Sequence, residues 1–511
     1  MTNLNQYNLL KTLSFCFVFL TLVGVIINYS SIPQADMWSN FELIYEFKQK
    51  NYQYLFSQHN EHRIFIPRLL YLLDYYLFNN GYYLLYFLNI SLFFVIYYYL
   101  NRFFRENYFL KQYDNSWYFF TLGILFFWGQ KSNFIWAYQS QFLLAYLFPL
   151  LSIYYISKNN ENRLYYLFLS ILFAFLSIGT MANGLFVVPI LFLYLIFNDR
   201  LKQSFLFLFF GFLSFILYFY NFTTVTSHAD FLHFLHRIHN VIVYYFVLSG
   251  NLFSFMVGKG NFGILFAGLV GFILNGLMAT VIFKNFYQVK KDYLIFIFLF
   301  IVISLFSIAV GRENFGLKSA ISSRYITPSV LFLCISIFYF FKYSFLKPIN
   351  ISKIFLLFLL ALAPYQLTAI KNKNDKNIND LTNVVSFMMG IDNNIPHFES
   401  ISDTTYFIKN NILIFSEPLL KAIIDTNNDH LCDLKNIKHF KLLELKNNEW
   451  YEITTMDINP KKEFFKLYNK DGVYSGFIYN TSLVENLIYS NHSYKGFTKQ
   501  KNDEEGLYYC K

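Results

Sequence analysis

Long apolar runs alternate with short polar joints along roughly the first 370 residues. Several approach the roughly 20 residues that a helix needs to cross a bilayer. They predict spans over about 9–28, 82–100 and 117–134, then a fourth ending near Ile156. Two more follow over about 164–177 and 185–197, a seventh ends near Tyr220, and others cover about 262–283 and 293–310. A tenth ends before Lys342 and the last covers about 354–370. The first run shows no small-residue cleavage site near its end and reads as an uncleaved span. The run at 241–257 is the ambiguous one. If it crossed, Lys284, Lys290 and Lys291 would fall outside, against the bias of basic loops toward the cytoplasm. A segment that dips in and returns, or lies along the outer surface, keeps them inside and gives eleven spans. From Lys371 onward the pattern changes to Asn, Asp, Lys and Glu mixed with aromatic and β-branched residues. Strand-like runs at Trp450–Thr454 and Gly472–Tyr479 and a helix-like run at Ser416–Ile424 predict an α+β domain over 371–511. The fold class is therefore an all-α polytopic membrane bundle, residues 1–370, followed by a soluble extracytoplasmic α+β domain.

The loop between the first two spans carries its own periodicity. Ser39-Asn40-Phe41-Glu42 fits a capping box that opens a short surface helix over about 40–50. Pro67 suits the first turn of a second surface helix, which Asn79-Asn80-Gly81 should end. Glu61, His62 and Arg63 then precede a helix N-terminus, where unpaired N–H groups favour an anion.

Composition supports the membrane reading. Of 511 residues 56% are hydrophobic and only 14% charged, against about 25% charged in soluble chains. The net charge of +10 sits mainly in short loops between apolar runs, which marks topology and argues against nucleic-acid binding. Cys16 and Cys334 lie within apolar runs and read as small core residues. Cys432 and Cys510 lie in the polar region in no metal-ligand spacing, and could form a disulfide if that region is outside the cytoplasm.

On this topology, polar groups collect at one outer face: Asp36; His59-Asn60-Glu61-His62-Arg63 with Arg68; Gln139 and Gln141 with Asn183; and Arg312, Arg324 and Tyr325. Ionisable groups at a membrane boundary are costly unless they pair or work. Arginine keeps its charge and grips phosphate oxygens with a planar fork, so Arg63, Arg68, Arg312 and Arg324 suit a lipid-linked phosphate, with His62 and Tyr325 beside them. A carboxylate such as Asp36 suits a general base. Each group also has a plainer use. Gln139, Gln141 and Asn183 suit hydrogen bonds between packed helices, and the arginines suit interfacial anchoring. His228, His233, His236 and His239 lie in a loop whose spacing resembles a metal tract, but interfacial use accounts for them as well. A divalent metal is possible and none is required.

Gln34-Ala35-Asp36-Met37-Trp38 after the first span, Asn60-Glu61-His62-Arg63, and the late Ser323-Arg324-Tyr325 resemble the GT-C superfamily of membrane glycosyltransferases over about residues 1–370. The resemblance implies an inverting transfer of a sugar from a polyprenyl-phosphate donor to a cell-envelope glycan or lipid acceptor. It places the chain in the inner (plasma) membrane with its site on the extracytoplasmic side. Many members carry paired acids at the first motif, whereas here Met37 follows Asp36. Either one acid suffices, or Glu61 supplies the second. Two other classes remain: a carrier that flips a lipid-linked saccharide, and a polymerase or ligase of envelope polysaccharide.

Overall fold

The structure is a computed structural model. It describes residues 3–30, 33–106, 114–159, 163–223, 237–343 and 350–371, and seven strands between 434 and 510. The chain divides into two compact units. The first comprises 1–27, 53–73 and 83–371, and the second 28–52, 74–82 and 372–511. The boundary near 371 matches the change in composition, but two pieces of the first loop belong with the second unit.

In the first unit, eight helices, taken with their flanking turns, are long and apolar enough to cross a membrane among the described residues. They are α1 (Asn3–Ile27), α4 (Tyr83–Glu106), α7 (Ser140–Lys158), α10 (Leu201–Phe219), α12 (Asn261–Lys284), α13 (Tyr293–Arg312), α14 (Ile326–Lys342) and α15 (Ile351–Gln366). Eight such helices mark a multi-pass membrane protein. Three other predicted spans are shorter: α5 (Asp114–Leu125), α8 (Leu164–Ile178) and α9 (Val187–Phe197) have 12, 15 and 11 residues. At 1.5 Å per residue, a 12-residue helix covers only about 18 Å. Irregular turns extend these segments, so continuous spans at those three places are not observed. The reason at α5 is visible. Gln130 Nε2 donates to the carbonyls of Ile124 at 3.2 Å and Leu125 at 2.9 Å, satisfying acceptors that a helix C-terminus leaves open. The predicted span to Phe134 therefore stops early, and a short helix α6 (Lys131–Ile135) follows.

Ion pairs distinguish the two ends of the bundle. At one end Lys158 meets Glu106 at 2.7 Å, Lys342 meets Asp292 at 2.6 Å and Lys291 meets Asp199 at 3.0 Å. Asp292 also caps α13 by accepting from the Leu294 N–H at 3.0 Å. At the far end of the same helix, about 30 Å away, Arg312 bonds Glu61. These paired charges thus lie at helix ends, as apolar surroundings require.

The ambiguous 241–257 run forms α11 (Ile238–Ser249), then a 62° bend at Gly250 and a short helical segment over Asn251–Val257. Its start is tied to the Arg312 end, where Arg237 meets Glu313 at 3.3 Å. Its finish is tied there too, with Lys259 4.2 Å from the Phe255 ring and 5.9 Å from that of Tyr365, near the close of α15. The segment enters and leaves by one end. Glycine makes this packing possible. A Cβ at Gly250 would lie 2.0 Å from the Ala267 carbonyl oxygen, and one at Gly271 2.0 Å from that of Phe246. Gly263, Ala267 and Gly271 form a small-residue stripe on α12 of the kind that lets membrane helices approach closely. Asn275, one turn on, accepts from Tyr245 at 2.6 Å and donates to Ser249 at 3.1 Å.

In the second unit, α2 (Ser39–Lys48) follows a 3-10 turn over Ala35–Trp38. The predicted capping box does not form. Trp38 already has helical dihedrals, so Ser39 lies inside the helix, and its hydroxyl donates back to the Asp36 carbonyl at 2.7 Å. The described C-terminal residues form seven antiparallel strands in the order β3-β9-β6-β7-β8-β5-β4: β3 (Leu434–Ile437), β4 (Phe440–Glu444), β5 (Tyr451–Thr455), β6 (Phe464–Tyr468), β7 (Tyr474–Asn480), β8 (Tyr494–Thr498) and β9 (Leu507–Cys510). β5 and β7 fall where strands were predicted. The predicted helix at 416–424, and Cys432, lie outside the described residues. Cys334 is buried as predicted, but Cys16 is exposed on the bundle's outer surface.

Cysteines placed at Arg237 and Lys259 should react with a membrane-impermeant maleimide from the same face, and one at Lys291 from the opposite face. Labelling of the first two from different faces would show that 238–257 crosses.

Candidate functional site

A tight hairpin organises the site. β1 (Gln58–His59) pairs with β2 (His62–Arg63) across Asn60-Glu61, and Asn60 takes a positive φ of 49°, a conformation Asn tolerates better than most residues. The hairpin is fastened from below. Arg63 Nε and Nη1 donate to the carbonyls of Tyr218 and Phe56, each at 2.5 Å, and Nη2 donates to that of Tyr220. The Arg63 N–H also donates to the Tyr218 hydroxyl at 3.0 Å. Gln58 exchanges hydrogen bonds with the Thr223 backbone at 2.7 and 2.9 Å.

This fastening presents Glu61 and His62 to the bundle. Glu61 Oε1 accepts from Arg312 Nη2 at 2.7 Å, and His62 Nε2 lies 3.7 Å from the same oxygen. The pair is mostly shielded, with 28% of the Glu61 side chain and 25% of the Arg312 side chain exposed. Beside it opens a cavity of ≈ 190 Å³, lined by Glu61, His62, Asn183, Arg312 and Tyr325 among others. Five residues predicted for the site from three separate stretches of sequence therefore surround one space.

The remaining wall is Gly311, in the outer-face stretch beside Arg312, together with residues not predicted for the site: Phe142 and Tyr146 of α7, Met181 and Ala182 of the joint between α8 and α9, and Ser307 and Ile308 of α13. A signal existed for the last group. Ser304, Ser307 and Gly311 interrupt an otherwise apolar helix at helical spacing, marking one small, polar face. The joint at 179–184 is small for a steric reason, since a Cβ at Gly184 would lie 2.1 Å from the Ser177 carbonyl oxygen. Asn183 Nδ2 stands 3.5 Å from Ser304 Oγ, and its Oδ1 is buried with no hydrogen-bond partner among the described residues.

Arg324 approaches from the turn before α14. Ser323 shares a hydrogen bond with Ser132, and Asn133 Nδ2 donates to the Arg324 carbonyl at 3.2 Å and to Thr327 at 2.9 Å. These bonds fix Ser323-Arg324-Tyr325 against α6. The Arg324 guanidinium stands 4.9 Å from the Tyr325 ring, and its Nε is buried without a hydrogen-bond partner among the described residues. Arg312 and Arg324 both lie within electrostatic range of Tyr244, whose hydroxyl is 2.7 Å from Ser319 Oγ.

The other predicted residues are placed differently. Arg63 spends its fork on the three carbonyls just named, so its job is structural. Arg68, 4% exposed, donates from Nη1 to the carbonyls of Tyr54, Leu55 and Ser57 at 2.8, 3.2 and 2.6 Å. The helix α3 (Phe65–Phe78) carries Pro67 in its first turn and stops before Asn79, as predicted. Its N-terminus is not an open anion site, because the Ile66 N–H donates to the Gly179 carbonyl at 2.9 Å and that of Arg68 to Ile64. Gln139 is fully buried one turn before Phe142, and neither end of its amide finds a partner among the described residues. Asp36 belongs to the second unit, whereas the cavity lining named above comes from the first. His228, His233 and His236 lie outside the described residues, and among those described no cluster of three metal-binding side chains occurs.

Replacing Arg63 with Ala strands three carbonyls and should cost about 2 kcal/mol. The expected readout is a lower melting temperature in detergent, and an unchanged one would remove the clamp.

No family model, no curated protein and no solved structure matches this chain.

Proposed function

We propose that the protein is an inverting glycosyltransferase that moves a sugar from a polyprenyl-phosphate donor to an extracytoplasmic glycan or lipid acceptor of the cell envelope. One observation carries the reading: a shielded carboxylate–guanidinium pair, Glu61–Arg312, opens onto a small, largely apolar-walled cavity at the helix ends, with His62, Asn183 and Tyr325 as its other polar groups. Pockets for drug-sized ligands have about 300–1,000 Å³. A space of ≈ 190 Å³ suits one sugar ring, with the lipid tail left in the membrane. Asn183 and Tyr325 offer hydrogen-bonding groups for sugar hydroxyls.

In the reaction, the acceptor hydroxyl attacks the anomeric carbon from the face opposite the phosphate. The carbon–oxygen bond to phosphate breaks, the acceptor proton passes to a carboxylate, and polyprenyl phosphate leaves. Arg312 and Arg324 stabilise the charge that collects on the departing phosphate. Glu61 already accepts from Arg312, which suits it to aim that guanidinium. The resemblance to GT-C enzymes implies Asp36 as the carboxylate that takes the proton. A carrier would place its ionisable groups near the bilayer midplane, whereas Arg312 is the last residue of α13, which favours the enzyme.

Purified protein in nanodiscs, given a radiolabelled polyprenyl-phosphate sugar and envelope acceptors, should release polyprenyl phosphate. Asp36→Asn should slow release about 10²–10⁴-fold, the usual worth of a general base. Arg312→Ala should slow it at least about 10²-fold by uncovering the leaving charge. Wild-type rates in Asp36→Asn would remove that residue as the base. Movement of the lipid across liposomes by wild-type protein, without any release, would favour the carrier.

A further inference from the structure

We infer that Gly311 is a specificity-determining residue: its missing side chain leaves room for the substituents of the donor sugar, so this position sets how large a sugar the cavity takes. The inference rests on the glycosyltransferase reading and deepens it.

Glycine inside a helix is unfavourable, because it orders a flexible backbone and adds no side-chain contact. Other helical glycines of this bundle show a packing reason. A Cβ would come within 2.7 Å of Trp128 at Gly24, 2.6 Å of Leu359 at Gly123 and 2.2 Å of Val188 at Gly211. Gly311 has no such reason. It is the penultimate residue of α13, and a Cβ there would meet no atom of the described residues within 4 Å. Nor is the reason conformational, since the positive φ that closes this stretch falls on Gly316, at 77°, and not on Gly311. Gly276 of α12 also has open space around it, but it is exposed on the outer surface of the bundle. Gly311 is only partly exposed and lines the cavity beside the Glu61–Arg312 pair.

Helical spacing sets Gly311 on one face with Ser304, Ser307 and Ile308, and a Cβ leans toward the helix N-terminus. Ser307 and Ile308 line the same space, so a side chain at 311 would project into the cavity and not into protein. The cavity is small enough for this to matter. Its ≈ 190 Å³ lies below the roughly 300 Å³ at which pockets for drug-sized ligands begin. Its bulky walls are held by packing, with the Phe142 ring 6.5 Å from that of Tyr325 and the Tyr146 ring 6.3 Å from that of Phe300. Close-packed rings do not yield cheaply to an added group. Bare backbone at 311 is therefore where a bulkier sugar substituent fits, while His62, Asn183, Arg312 and Tyr325 offer polar contacts to its hydroxyls.

The test uses the full-length protein in nanodiscs with three radiolabelled donors of rising bulk: a polyprenyl-phosphate pentose, hexose and N-acetylhexosamine. Gly311→Ala should keep or raise the melting temperature, as a helix-favouring residue in open space does. Its KM should rise about tenfold or more for the bulkiest donor that wild type uses and less for smaller ones, and further in Gly311→Val. Gly276→Ala should leave each KM unchanged. A lower melting temperature in Gly311→Ala would put the new methyl against protein and overturn the inference. So would an unchanged KM in Gly311→Val, or an equal rise on every donor, which a role in aiming Arg312 would give. Wild-type protein that releases no polyprenyl phosphate ends the glycosyltransferase reading, and retention of the same three lipids, read by native mass spectrometry, then decides Gly311 alone. Retention that falls with sugar size in Gly311→Val upholds it; equal retention by wild type and variant, or none by either, overturns it.

Discussion

The contact between Glu61 and Arg312 is what the candidate site depends on. It joins residues 251 positions apart and closes a first-loop hairpin onto the end of a membrane helix. A lone carboxylate or guanidinium at that depth would be costly, and removing either partner leaves the other uncompensated. The pair also sets direction, because Arg312 can face a ligand only while Glu61 is held in front of it. That holding falls to Arg63 and Gln58, which tie the hairpin to the end of α10. Arg63 thus serves the site without entering it.

The same constraint shapes the bundle. Charge moves toward the helix ends, and among the described residues the bundle's apolar helices are interrupted at 126–139, at 179–186 and at Gly250. Each break has a sealing device. Gln130 covers the carbonyls that α5 leaves open, Gly184 lets one chain segment lie against Ser177, and Gly250 and Gly271 let the bent segment lie against α12. The breaks also supply the cavity wall, since Met181, Ala182 and Asn183 sit in the second of them. Two spaces bordered by charged side chains result, one at each end of α13 and about 30 Å apart.

Much of this was legible along the chain. Hydrophobic period and loop charge located the helices and the returning segment at 238–257, because the cost of burying lysine is local and shows in sequence. Glu61, His62, Asn183, Arg312 and Tyr325 stood out as polar residues at a membrane boundary, and the folded chain gathers them. What failed depended on partners distant in sequence. Arg63 and Arg68 read as phosphate ligands because an arginine does not announce whether backbone carbonyls will fill its fork. The break in α5 depends on one glutamine folding back, and Ser39 lost its capping role because the preceding turn was already helical. Phe142 and Tyr146 were invisible as wall residues among so many aromatic neighbours.

The most direct measurement is a cryo-electron microscopy map of the protein with a non-hydrolysable polyprenyl-phosphate sugar bound. Headgroup density is expected in the Glu61–Arg312 cavity, with phosphate oxygens within hydrogen-bond reach of Arg312 and the sugar against Asn183 and Tyr325. Headgroup density elsewhere, with that cavity empty and the ion pair undisturbed, would contradict it.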